Sequence, residues 1–190
     1  MTLKLSCPCG RTHWIVSAPR SGTRLTCYCA DCQTAARHVE ADVLDEGGGS
    51  DILQVAAHQL SVEGAPLALM RLSPKGLFRW HTSCCNTPVA NSLPFPHLSF
   101  AGVLLANAQS GQDTLPKTAA VVNTVYAKGR PGVPAKDRGM GRSVIAFFRR
   151  SLAARMSGKW RETPFFTGPP WTPVAPPRVL SKEERNAARP

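Results

Sequence analysis

The seven cysteines of this chain occupy three tight clusters, Cys7-Pro8-Cys9-Gly10, Cys27-Tyr28-Cys29-Ala30-Asp31-Cys32 and Cys84-Cys85, with none after residue 85. Two cysteines one residue apart are badly placed to bond to each other. Both sulfurs can nevertheless turn toward one cation, and a glycine directly after the pair lets the backbone curl around it. An odd number of cysteines also argues against a complete intramolecular disulfide framework. The chemistry indicated is metal binding, with zinc as the first expectation.

The spacing divides the seven into unequal groups. Cys27, Cys29 and Cys32 bring three sulfurs together locally and leave one position of a tetrahedron for an outside ligand. Cys7 and Cys9 need a second pair, for which the middle cluster and Cys84-Cys85 are both candidates; if the middle three hold a metal of their own, Cys84 and Cys85 complete the site begun by Cys7 and Cys9. Four thiolates close a site, as in a structural staple. Three leave room for a small-molecule thiol, which a cation would deprotonate. Asp31, inside the middle cluster, is a candidate base or support for a ligand, although capping a helix is its simpler role. His13, His38, His58 and His97 stand alone in the sequence and carry no site expectation. No Ser-His-Asp order, phosphate loop or dinucleotide glycine fingerprint is visible.

The elements that must position these clusters read mainly as short strands. Leu3 and Leu5 alternate with polar neighbours before the first cluster, and Trp14 and Val16 do so after it. Ser21-Gly22-Thr23 marks a turn into Leu25 and the second cluster. A short helix capped by Asp31 is expected over Cys32-Gln33-Thr34-Ala35-Ala36. Residues 52–56 and 67–72 read as strands, and Ser73-Pro74-Lys75-Gly76 as a turn into Leu77-Phe78-Arg79-Trp80, a hairpin that delivers Cys84 and Cys85. Further on, Val144, Ile145, Phe148, Leu152 and Met156 share one face of an amphipathic helix near 142–158, and arginines mostly occupy the other. Its apolar stripe is expected to pack on the strand-rich body, with a membrane-surface role as the alternative. Six prolines between Pro164 and Pro177 argue against a second compact domain.

Composition sets the frame for this chemistry. The 190 residues, 43% of them hydrophobic, provide a core larger than that of a bare zinc finger. No charged leader with a long apolar run opens the chain, and no segment approaches the ~20 apolar residues of a membrane helix, so a soluble cytoplasmic protein with reduced thiols is expected. The net charge of +11 is uneven. Residues 1–127 hold nine Lys/Arg against eight Asp/Glu, whereas residues 128–190 hold fourteen against four. A solvated basic surface accounts for this better than a nucleic-acid site, because no aromatic residues are interleaved with the basic ones.

The ordered motifs Cys7-X-Cys9-Gly10, Cys27-X-Cys29-X-X-Cys32, then a glycine-bearing turn and an Arg-aromatic stretch before the last cysteines, resemble the family of the glutathione-dependent formaldehyde-activating enzyme and centromere protein V. The resemblance covers roughly residues 5–95. It implies an all-β fold, the β-tent of small antiparallel sheets with zinc knuckles, over residues 1–107. Residues 108–190 would then form a basic, proline-rich extension carrying the amphipathic helix. It also implies two zincs, a structural one on Cys7, Cys9, Cys84 and Cys85 and a second on Cys27, Cys29 and Cys32 associated with glutathione. The chain departs from that family in one place. Where the family has Phe-Cys-X-X-Cys-Gly, this sequence reads Trp80-His81-Thr82-Ser83-Cys84-Cys85-Asn86, with Thr82 at the position of the penultimate cysteine. Cys84 is the favoured fourth ligand and His81 the alternative.

The function expected from the resemblance is a carbon–sulfur lyase or synthase-like activity on a small aldehyde adduct such as S-hydroxymethylglutathione, with glutathione as the thiol partner and no membrane partner. The alternative is a non-catalytic, zinc-stabilised binding module whose basic tail, from Lys128 onward, contacts nucleic acid or a protein.

Overall fold

A computed structural model describes residues 1–127, 134 and 136–190, so Lys128, the start of the basic tail, lies outside the described residues. The architecture is mainly β, with few helices. In chain order the elements begin with β1 (Thr2–Ser6), β2 (Thr12–Ser17), β3 (Thr23–Cys27), α1 (Ala30–His38), β4 (Ser50–Val55), β5 (Leu60–Gly64), β6 (Leu67–Arg71), β7 (Phe78–Thr82) and β8 (Pro88–Ser92). They continue with β9 (Ala101–Leu104), β10 (Ala108–Ser110), β11 (Ala120–Val122), α2 (Met140–Met156), β12 (Phe166–Thr167), β13 (Thr172–Pro173), β14 (Pro177–Val179) and α3 (Lys182–Ala187).

The expected alternation in β1 and β2 buries Leu3, Leu5, Trp14 and Val16 on one face. These strands form a four-stranded antiparallel sheet in the order β10-β1-β2-β5. A second, mixed sheet has the order β11-β3-β4-β9-β8-β7-β6-β14. Its edge strands β11 and β14 run parallel to their neighbours, and its inner pairs are antiparallel. The principal core lies between the sheets, where Leu3, Leu5, Trp14 and Val16 meet Leu53, Val55, Leu69, Phe78, Trp80 and Val103. Burial of such side chains contributes about 1.5–3 kcal/mol each against the entropy of ordering the chain.

The region after residue 107 is woven into both sheets. It supplies β10 to one and the two edge strands β11 and β14 to the other. Phe165 and Phe166 enter the principal core, where Phe165 stacks on Trp80 at 5.0 Å and Phe166 on Phe78 at 6.0 Å. Proline prevents most of this segment from pairing as inner strands, yet short edge strands and single aromatic side chains need few backbone donors.

Two expectations about helices are corrected. The first helix starts at Ala30 and its N-cap is Cys29, whose sulfur accepts the Cys32 N–H at 3.3 Å; Asp31 lies exposed in the first turn. A cysteine sulfur oriented by the knuckle reaches that N–H first. The stripe on α2 faces away from the body, with Val144, Ile145, Phe148, Leu152 and Met156 all exposed. Instead the helix docks through Ser143, Ser151 and Ala154, small residues that permit close approach. Ser151 Oγ donates to the Ser99 carbonyl at 3.2 Å, Arg150 donates to Thr23 Oγ1 at 2.8 Å, and Phe147 meets Phe100 edge-on.

Candidate metal centres and the adjoining cavity

Hairpin geometry builds the first cluster. The tip of β1–β2 curls back with Gly10 N–H donating to the Cys7 carbonyl at 2.9 Å, and Gly10 takes φ +71°, where a side chain would be strained. The tip of β7–β8 carries Cys84 and Cys85. Asn86 follows them at φ 56° and donates its N–H to the Thr82 carbonyl at 3.0 Å, so asparagine fills the left-handed turn position that glycine occupies in the resembling motif. The two tips belong to different sheets, so this cluster clasps one sheet to the other.

Distances between the sulfurs test whether a cation fits. Cys7–Cys9, Cys9–Cys84 and Cys9–Cys85 are each 3.4 Å apart, and Cys7–Cys84 and Cys84–Cys85 are 3.7 Å. A disulfide requires about 2.05 Å, and all seven cysteines are free. A tetrahedron with ~2.3 Å metal–sulfur bonds has edges of ~3.8 Å, close to the observed spacing. Donors surround the group, as thiolates require. Thr12 N–H reaches Cys7 at 3.3 Å, and the hydroxyls of Thr82 and Thr87 lie 3.4 and 3.2 Å from Cys85. Thr82, at the position of the missing cysteine, therefore supports Cys85. Adjacent cysteines serve one site because the tight turn aims both sulfurs inward. His81 is not in this cluster; it lines the cavity described below.

The second cluster joins the end of β3 to the start of α1, and Cys27, Cys29 and Cys32 lie within 4.8 Å of one another. Each sulfur receives one N–H donor: Cys27 from Asn123 Nδ2 at 3.5 Å, Cys29 from the Cys32 backbone, and Cys32 from the Arg79 guanidinium at 4.0 Å. Asn123 arrives through the parallel pairing of β11 with β3, which sets Val122 opposite Cys27. Asp137 holds that loop by accepting from the Asn123 and Thr124 N–H groups at 2.8 and 2.9 Å. Beneath the knuckle, buried Gln33 donates to the Tyr28 and Tyr126 carbonyls, and the Tyr28 hydroxyl donates to Asp45 at 3.0 Å.

Proton affinities within the clusters are uneven. Hydrogen bonds from Cys27 and Cys29, with Arg79 nearby, hold the Cys32 thiol well below the ordinary thiol value. Hydrogen bonding to Cys29 and Cys32, together with burial, pushes Cys27 far up. Cys29 is lowered by Cys27 but raised by Cys32 and by burial, and ends at about 11. Cys85, raised by desolvation but lowered by the Thr82 and Thr87 hydroxyls, lies at about 5. Cys84 is likewise held down, chiefly by the Thr12 hydroxyl, whereas Cys9, lowered by the Arg11 backbone but raised by Cys84 and Cys85, ends at about 11. Each cluster thus contains thiols of both lowered and raised proton affinity.

Beside Cys32 is a cavity of about 30 Å³, enough for a group slightly larger than water, walled by Arg79, Trp80, His81, Asn91 and Ser50 among others. Arg79 is 7% exposed, donates to Asn91 Oδ1 at 3.3 Å, leaves its Nε without a partner, and has no carboxylate partner among the described residues. A groove of about 450 Å³, sharing Met70 and His81 with the cavity wall, is bordered by His38, Asn86 and Arg178. Sequence reasoning did not single out Arg79, Asn91 or Asn123 as site residues. For Arg79 the usable signal was a cationic residue set between two large aromatic ones, Phe78 and Trp80. For the two asparagines there was none, because only pairing across the sheet brings them to the site.

Both clusters could hold a metal ion on sulfur ligands. A family model matches residues 1–175, that of a family of unknown function, DUF6151. The chain belongs to this family. The match spans both clusters, the cavity and the core aromatics Phe165 and Phe166, so the tail that completes the sheets is largely part of the family's domain. No curated protein matches the chain. Among the described residues, no helix is long and apolar enough to cross a membrane.

Proposed function

We propose that this protein holds two zinc ions, a structural one on Cys7, Cys9, Cys84 and Cys85 and a second on Cys27, Cys29 and Cys32, and uses the second to join a small thiol to a small aldehyde. The reading rests on one observation above the others: a three-sulfur cluster beside a small cavity that a buried, incompletely paired arginine also lines. The resemblance to the formaldehyde-activating family names the reactants, glutathione and formaldehyde, and the β-tent as the fold type.

Cys27, Cys29 and Cys32 would hold the zinc, which when bound would supply a cation that lowers the proton affinity of a thiol. The chain's own residues do the rest. The cavity has room for a one-carbon carbonyl beside Cys32 and Arg79. The groove edged by His38 and Arg178 has room for the body of the thiol, whose carboxylates would compete with Glu184 for the Arg178 guanidinium. As sulfur adds to the carbonyl carbon, the C=O pair moves onto oxygen, and the Arg79 guanidinium is placed to receive that charge. The proton lost by the thiol ends on that oxygen, giving a hemithioacetal, and the reverse sequence releases the aldehyde.

The test is zinc-loaded protein incubated with glutathione and formaldehyde, with adduct formation followed by NMR. Formation faster than background is expected, with Arg79→Met keeping two metals but losing about 10²–10³ of the acceleration and Cys32→Ser losing the second metal. Adduct formation at the uncatalysed rate would refute the enzyme reading and leave a zinc-stabilised module without catalysis.

A further inference from the structure

The face of α2 that looks into solvent is its most apolar one. Val144, Ile145, Phe148, Leu152 and Met156 are 42, 62, 55, 61 and 81% exposed. Val144, Phe148, Leu152 and Met156 follow one another at intervals of four and make a ridge ~18 Å long. Arg142 and Arg149 border it, Arg155 lies within it, and all three are exposed. The 17 residues of the helix contain no Asp or Glu. Beside the ridge runs an apolar groove of about 230 Å³, walled in part by Leu77, Phe100 and Phe147.

We propose that the outward face of α2 is an interfacial membrane-binding surface and that its occupant is an anionic lipid bilayer. A row of large apolar side chains on a docked helix, bordered by Arg142 and Arg149 and interrupted by Arg155, whose long stem lets its guanidinium reach the headgroups, is the pattern of a helix lying in the headgroup plane. The apolar row enters the acyl boundary, and the groove beside it has space for a segment of acyl chain. Arg142 and Arg149 remain at headgroup level, where anionic lipid supplies the acids the helix lacks. A second copy of this chain would set two arginine margins against each other with no acid on either. Nucleic acid would meet the arginines but leave the apolar ridge uncovered.

The test uses the full-length protein in co-sedimentation with vesicles of phosphatidylcholine alone and of phosphatidylcholine with phosphatidylserine. Partitioning onto the anionic vesicles is expected to exceed that onto neutral ones by about tenfold or more and to weaken as salt is raised. The double variant Ile145→Glu/Phe148→Glu is expected to lose binding about tenfold or more, with an unchanged circular dichroism spectrum and metal content because both side chains are exposed. Arg142→Ala/Arg149→Ala should narrow the preference for anionic vesicles. The proposal is overturned by failure to bind vesicles, by binding that the glutamate pair leaves intact, by binding of polyglutamate or an oligonucleotide in place of vesicles, or by a soluble dimer in sedimentation equilibrium that Phe148→Glu dissociates.

Discussion

Replacing Phe165 by alanine tests whether the C-terminal region belongs to the core. The side chain is fully buried and lies 5.0 Å from the Trp80 ring at an interplanar angle of 15°. Loss of a buried phenylalanine costs about 3–5 kcal/mol, because the transfer free energy is lost and a cavity remains. The stacked pair adds about 0.5–1.5 kcal/mol to area burial alone, which places the expected loss in the upper part of that range, about 4–5 kcal/mol. Against a total stability of about 5–15 kcal/mol, that is about a quarter or more. Urea unfolding followed by tryptophan fluorescence should show a much lower midpoint with the slope preserved. Phe148→Ala, in the same region but 55% exposed, should change stability by no more than about 0.5 kcal/mol. A loss below about 1 kcal/mol for Phe165→Ala would mean that the stacking on Trp80 does not support the core. If the larger loss is found, truncation before residue 128 cannot serve as a binding test, since it removes Phe165 and the edge strand β14.

Two further outcomes separate roles within the site. Cys84→Ser should weaken the first site, so that one metal per chain is lost on dialysis against a chelator that leaves two on the unaltered protein, and should lower stability, because Cys85 alone then ties the β7–β8 tip to Cys7 and Cys9. His81→Ala should retain two metals; loss of one metal there would return His81 to the ligand set. The third outcome concerns pH. Burial first, then Lys159, lowers the His58 pKa, and burial chiefly lowers that of His81. The unfolded chain, with ordinary histidines near about 6.5, therefore binds more protons than the native state below that value. Stability from these two groups is present above the unfolded value and is lost progressively as pH falls from it through the lowered folded values. Denaturant midpoints measured across that range should fall less steeply for His58→Gln/His81→Gln than for the unaltered chain, and equal slopes would refute the burial argument.

Spacing made the ligand groups legible. Cys-X-Cys-Gly and Cys-X-Cys-X-X-Cys are local geometries, so the sulfurs that share a turn could be named before any contact was known. Period-two alternation likewise set the buried faces of β1 and β2, since successive strand residues point to opposite sides. The fate of the α2 stripe was not legible, because periodicity identifies an apolar face without saying what covers it. Here Ser143, Ser151 and Ala154 take the body-facing side, where close approach and hydrogen bonds to Ser99 and Thr23 outweigh the gain from larger side chains.

What the sequence determined by itself is the inventory of the site: seven thiols, grouped as two, three and two, with the turn residues that aim them. What only the tertiary structure decided is how the pairs combine and what faces the triple. Cys84-Cys85 joins Cys7 and Cys9 because two hairpin tips from different sheets meet. Arg79 and Asn123 reach the middle cluster because β7 and β11 run beside or behind it. Each of these contacts joins residues more than forty positions apart, and such pairings depend on sheet order and register, which local spacing does not encode.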